Sequence, residues 1–168
     1  MSSRHPSSDP KRPRERRLIA LLGRADAAVQ DLRVRAASIC QSGNLGILGF
    51  RGEQLEELKA LLHRGNQLLD GRIYTLDGSR GRDPVAPQDE NFSRNAIVEP
   101  ITFFASYRGC CRALCAAMKE AVRLEDSTSA LLLRDLILKL EKQLWMIDVP
   151  DRGRGLDERR AVSLFLSC

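Results

Sequence analysis

Six basic side chains lie within the first seventeen residues: Arg4, Lys11, Arg12, Arg14, Arg16 and Arg17, against the two acids Asp9 and Glu15. They account for +4 of a net charge of +5, so the rest of the chain is close to neutral. Clustered guanidinium groups suit phosphate chemistry. Each is always charged and offers planar donors that match phosphate oxygens. Neutralising phosphates releases counterions, which gives affinity for nucleic acid without sequence preference. Ser, Pro, Arg and Lys dominate residues 1–17, and nothing there can enter a core, so the segment reads as a disordered basic arm. The plainer alternative is a solubilising tail.

Other chemistry-bearing residues are sparse. Cys111 and Cys115 stand one helical turn apart, as two metal ligands would. No nearby Cys-x-x-Cys or histidine completes a set of four, and cysteine is also a common small core residue. His63 is the one histidine outside the arm, between Leu62 and Arg64. Gly43, Gly46, Gly49 and Gly52 permit a turn or a close backbone approach. A phosphate-cradling loop would need a preceding strand and a Lys-Ser pair, and neither is present. No residue is therefore assigned to catalysis or to a metal. Five cysteines, two of them adjacent, form no disulfide framework and point to a reducing, cytoplasmic setting. Arg16-Arg17 precedes an apolar run of five residues, too short for an export signal, and no run approaches the roughly 18 residues of a membrane helix.

The elements that must position these residues are helical. Hydrophobic residues are 43% and aromatics only 5%, a balance that fits a Leu/Ala-rich all-α chain of one domain. Leu18, Leu22, Ala25, Val29, Leu32, Ala36 and Ile39 alternate spacings of four and three, which predicts a first helix over Leu18–Cys40. A second helix is predicted over Glu53–Asp77, with Leu55, Leu58, Leu62, Leu69, Ile73 and Leu76 as its stripe and Gly65 as a place for a tight crossing. Residues 78–92 are rich in Gly, Pro, Asp and Arg, too long for a simple hairpin between antiparallel helices, and fit a crossover. A third helix is predicted from about Ser93 to Arg123, its stripe being Ile97, Ile101, Phe104, Cys111, Leu114, Met118 and Val122.

The fourth helix organises the rest. It opens at the capping residues Asp126 and Ser127 and ends before Pro150. Leu133, Leu136, Leu140, Leu144 and Ile147 make one apolar stripe; Leu131, Leu138 and Trp145 recur every seven residues on the opposite side. Two opposed stripes need cover on both sides. A bundle core covers one. A second subunit would cover the other, unless the helix is central to a larger monomer. Residues 150–168 form a tail whose Val162, Leu164, Phe165 and Leu166 leave room for a short helix.

Four helices with a long link between the second and third match a ferritin-like bundle over residues 18–149. Within it, Glu125-Asp-Ser-Thr-x-x-Leu-Leu followed by Leu-Glu141-Lys142-x-Leu-Trp145-Met146 resembles the last helix of the Dps family, the DNA-binding proteins from starved cells. One residue is extra between the two halves. Phe50-Arg51-Gly52 resembles the family's Val-Arg-Gly, and Arg72-Ile73 with Leu76-Asp77-Gly78 resembles the end of its second helix. The resemblance implies a shell of about a dozen subunits, a basic arm that condenses DNA in the nucleoid, and iron as an oxidised and stored substrate.

The family's iron sites use two histidines with Asp and Glu from the first two helices, and here the chain departs from it. Aligned on Phe50-Arg51-Gly52, Ile47, Lys59 and His63 stand at ligand positions. Aligned on Leu76-Asp77-Gly78, the five positions hold Cys40, Gly52, Glu56, Gln67 and Gly71. Neither register rebuilds the site. The expectation is a shell-forming, DNA-binding protein without the usual ferroxidase centre and without an assigned cofactor. The alternatives are an iron-storing enzyme with an unusual site built from Glu56, Glu57, Cys40 or His63, and a structural subunit that co-assembles with an active paralogue.

Overall fold

The seven positions of the first seam, Leu18 through Ile39, are all buried. The structure, a computed structural model, describes residues 11–42, 51–78 and 100–146. These form four helices: α1 Lys11–Ser42, α2 Gly52–Asp77, α3 Pro100–Arg123 and α4 Ser127–Trp145. Among the described residues there is no strand. The described part of the chain is thus all-helical, as its periodicity predicts.

Helix α1 begins at Lys11 rather than Leu18. Composition hid this extension. Lys11, Arg12, Arg14, Glu15, Arg16 and Arg17 are good helix formers, and Pro13 falls in the first turn, where its missing N–H costs no bond. Arg4 and the Gly43–Phe50 stretch lie outside the described residues, as do residues 79–99 and 147–168.

Helix α1 packs on α2 and α3, and α4 packs on α3 and α2. Side-chain contacts fix the directions. On the α1–α2 face, Asn66 Nδ2 donates to the Asp26 carboxylate at 2.7 Å, and Cys40 lies 3.3 Å from Glu56. Between α2 and α4, Gln54 Nε2 donates to the Met146 carbonyl at 2.7 Å, while Arg72 meets Ser129 at 2.8 Å. Between α3 and α4 the Tyr107 hydroxyl donates to the Leu140 carbonyl, and the turn at Leu124–Glu125 joins the two helices. Each of these pairs is antiparallel. Arg17 on α1 meets Glu120 on α3, near opposite ends of their helices, so this pair is antiparallel too. Helices α2 and α3 therefore point the same way.

The core stripes of α2 and α4 follow the sequence pattern. Leu55, Leu58, Leu62 and Leu69 are buried on α2, with Ile73 and Leu76 at its edge; Leu133, Leu136 and Leu140 are buried on α4, with Leu144 at its edge. Helix α3 requires a correction. Its buried face is Phe103, Tyr107, Cys110, Leu114, Ala117 and Ala121, whereas Ile101 and Val122 are exposed. Cys111 is also buried, and Phe104 and Met118 are only partly so. Bulk misled the sequence reading: the small residues at 110, 117 and 121 share the buried face with Phe103, Tyr107 and Leu114, while Ile101 and Val122 lie on the outer face.

The tight crossing expected at Gly65 is present. A Cβ built there would stand 3.1 and 3.2 Å from the two Cδ atoms of Leu136 and 3.6 Å from Val29 Cγ1. Gly65→Ala gains about 1 kcal/mol of helix propensity and loses a similar amount to crowding, so its melting temperature should barely move. Gly65→Leu cannot be absorbed by side-chain shifts and should cost about 2–3 kcal/mol in a urea titration.

Candidate nucleic-acid interface

Arg14, Arg16 and Arg17 sit on the first turns of α1 and are exposed. Lys11 and Arg12 lie on the same turns. The basic segment is therefore in part a helical surface, continuous with the bundle. Arg17 is also engaged within the fold: its Nε lies 3.7 Å from Glu120 Oε2 on α3. Arg123 Nη2 donates to the other oxygen of Glu120 at 2.7 Å. Glu120 is only 5% exposed. Sequence reasoning missed this carboxylate because Arg17, the partner that ties it to α1, is a hundred residues away along the chain.

Residues named for an unusual metal site are divided by the structure. Cys40 and Glu56 meet across α1 and α2, and Lys59 Nζ donates to both oxygens of Glu56 at 3.0 and 3.1 Å. Together with Arg33 and His63, Glu56 and Lys59 line an open groove of about 290 Å3. His63 bonds Gln67 at 3.1 Å. Glu57 points elsewhere and accepts from Gln143 on α4 at 3.1 Å. The Lys59 hydrogen bond, then that from Cys40, holds the Glu56 carboxyl below its usual range; burial and the same Glu56 contact push the Cys40 thiol up. A lysine ammonium seated on the one carboxylate of the groove does not fit an iron site. Among the described residues no group of three His, Cys, Asp or Glu side chains converges as a metal would need.

Cys110 and Cys111 are free, buried thiols. Burial, with the neighbouring Cys111 and Asp31, raises Cys110 far above the usual thiol range; burial and then Glu141 push Cys111 up to about 12. Both pack as small core residues and offer little thiolate to a metal. Cys115 is buried beside them and is disulfide-bonded, so it is no free ligand either, and the expectation of uniformly reduced cysteines is corrected at this position.

A second polar cluster ties α2 to α4. Arg72 Nη2 donates to both oxygens of Asp126 at 2.8 Å, and its Nε donates to Ser129 Oγ at 2.8 Å. Asp126 caps α4 by accepting from the Ser129 backbone N–H at 3.1 Å.

Comparison with protein-family models, curated proteins and solved structures finds no match for the chain. No described helix is long and apolar enough to cross a membrane.

Proposed function

We propose that this chain is a Dps-like, shell-forming protein that binds DNA through its basic N-terminal segment and lacks the usual ferroxidase centre. The observation that carries the DNA reading is the concentration of net positive charge before Leu18, on a segment whose Arg14 and Arg16 are exposed. Phosphate contacts of this kind position DNA without reading its sequence. The ferritin-like architecture is supported by the directions of the helices. Consecutive helices that run parallel require a connection that returns along the bundle, which is the crossover expected of residues 78–92. A shell of about a dozen subunits is supported by the outer face of α4, where Leu131 and Leu138 are 65% and 53% exposed. Such a shell would work in the cytoplasm, on the nucleoid, and many arms on one particle would add avidity. Light scattering should give a particle near a dozen subunits. Leu138→Glu should shift it to smaller species by placing a charge in a covered face. A monomer at micromolar concentration would end the shell reading.

The groove between α1 and α2 favours a non-ferroxidase over an iron-storing enzyme, because Lys59 occupies Glu56. Peroxide-dependent oxidation of ferrous iron by the purified protein should not exceed a protein-free control. Fast, saturable oxidation would overturn this and direct attention to Glu56, His63 and Cys40. Co-purification with an active ferritin-like subunit from the native cell would favour the co-assembly alternative.

A further inference from the structure

The arginines of the basic segment do not stop at Leu18. Arg14 and Arg24 lie three residues before and seven after Arg17, so all three share the side of α1 that faces α3. All three are exposed. On α3, Arg123 follows Glu120 by three residues and Arg112 precedes it by two turns, on the same side of that helix. Both are exposed. Because α1 and α3 are antiparallel, the contact of Arg17 with Glu120 places Arg24 opposite the neighbourhood of Arg112. Guanidinium groups from two helices thus line one edge, which runs about 15 Å from Arg14 to Arg24. Two turns further, Asp31 pairs with Arg35 at 2.9 Å and closes the basic stretch.

Glu120 gives this edge a fixed geometry. It is buried while the Arg17 and Arg123 side chains on either side of it remain 64% and 57% exposed. One carboxylate between two guanidinium groups leaves a net charge of +1. Each guanidinium has five N–H donors. Most of these remain for a ligand outside the helix pair. Two arginines held side by side by a buried acid lose less entropy on binding an anion than two free side chains would. The separation of Arg17 from Arg24, about 10 Å along α1, is enough for the two to reach different phosphates of a duplex.

We propose that the α1–α3 edge bearing Arg14, Arg17, Arg24, Arg112 and Arg123 is a preformed cradle for the phosphate backbone of duplex DNA, with Glu120 as its positioning residue. The inference rests on the DNA-binding reading above and extends the contact from the N-terminal segment onto the folded bundle.

The test uses the full chain and the fluorescence anisotropy of a labelled duplex of about 20 base pairs, roughly two helical turns, across a salt series. Arg24→Gln combined with Arg123→Gln should weaken binding severalfold and reduce the log–log salt slope by about two, since each lost phosphate contact removes about 0.9. Arg64→Gln, on the outer face of α2, should leave both unchanged. Glu120→Gln separates positioning from charge. It makes the chain more positive, so simple electrostatics demands tighter binding; loss of the cradle predicts weaker binding. Circular dichroism melts identify any variant that fails to fold, and the Arg24/Arg123 variant keeps the test decisive if Glu120→Gln does. An unchanged slope in that double variant, with binding still lost on substituting Arg12 and Arg16, overturns the cradle and leaves the N-terminal reading intact. Absence of binding by the full chain at low salt overturns both.

Discussion

Replacing Arg12, Arg14, Arg16 and Arg17 together by glutamine should abolish the mobility shift of plasmid DNA at moderate salt while leaving the helical circular dichroism and particle size unchanged. The four positions carry most of the charge that distinguishes the N-terminal segment from a near-neutral body. Arg14, Arg16 and Arg17 are exposed, so glutamine at those positions removes charge without opening a core. The one structural cost is at Arg17, and Arg123 remains bonded to Glu120 there. On duplex DNA each neutralised phosphate contributes a slope of about −0.9 in log affinity against log salt. Losing four contacts lowers the slope by about three to four and the affinity by at least tenfold near 0.1 M salt. Deleting residues 2–10 is the sharper companion. It takes away Arg4 alone of the basic set and stops short of α1, so binding should fall only slightly. If the fourfold variant still shifts DNA at equal concentration and salt, the N-terminal segment is not the contact, and Arg80, Arg82, Arg152 and Arg154 become the next candidates.

How far the sequence carries this reading differs from helix to helix. Helix α1 was legible because its seam is one unbroken alternation of four- and three-residue spacings with nothing competing. The interior of α4 was legible from its longer stripe of Leu133, Leu136 and Leu140, and its Asp126 cap is a local signal within three residues of its partner. Helix α3 was not, because apolar residues occur on more than one of its faces. Hydrophobicity favours Ile101 and Val122, whereas close packing selects Ala117, Ala121 and Cys110, and only the neighbouring helices decide between them. The start of α1 was missed because charge and proline resemble disorder when no core residue marks the helix. At the candidate interface, the charge of Arg14, Arg16 and Arg17 was visible, but its continuation onto Arg123 through Glu120 depends on which helix lies beside α1. No local pattern encodes that choice. The Lys59 contact to Glu56 could have been read from their three-residue spacing, which is the ordinary reach of a helical ion pair.

Asp126→Ala should be among the most destabilising single changes in the described bundle, by about 2–4 kcal/mol. Two losses add. The first is the α4 cap, worth about 1 kcal/mol. The second is the partner of Arg72, whose side chain is only 17% exposed. A hydrogen-bonded charge left without its partner in such a place costs about 1–3 kcal/mol. Asp126→Asn keeps a capping oxygen and forfeits the ion pair, so it should fall between the two. The same contacts set a pH dependence. Burial pushes the Asp126 carboxyl up, but the hydrogen bonds from Arg72 and then Ser129 outweigh it and hold the carboxyl below its ordinary value of 3.8. A group whose pKa is lower in the folded state releases its proton more readily there. Its stabilisation is therefore fully present above the unfolded value and is lost as pH falls through the folded one. Urea midpoints of the wild type and Asp126→Asn should differ by a constant amount from pH 7 to about 5, and the gap should close below pH 4. Arg72→Gln should reproduce the loss at neutral pH and bring the Asp126 titration back toward its ordinary value. A gap that does not narrow at all as pH falls below 4 would mean that Asp126 stabilises α4 by its shape and cap alone, with the Arg72 charge contributing nothing.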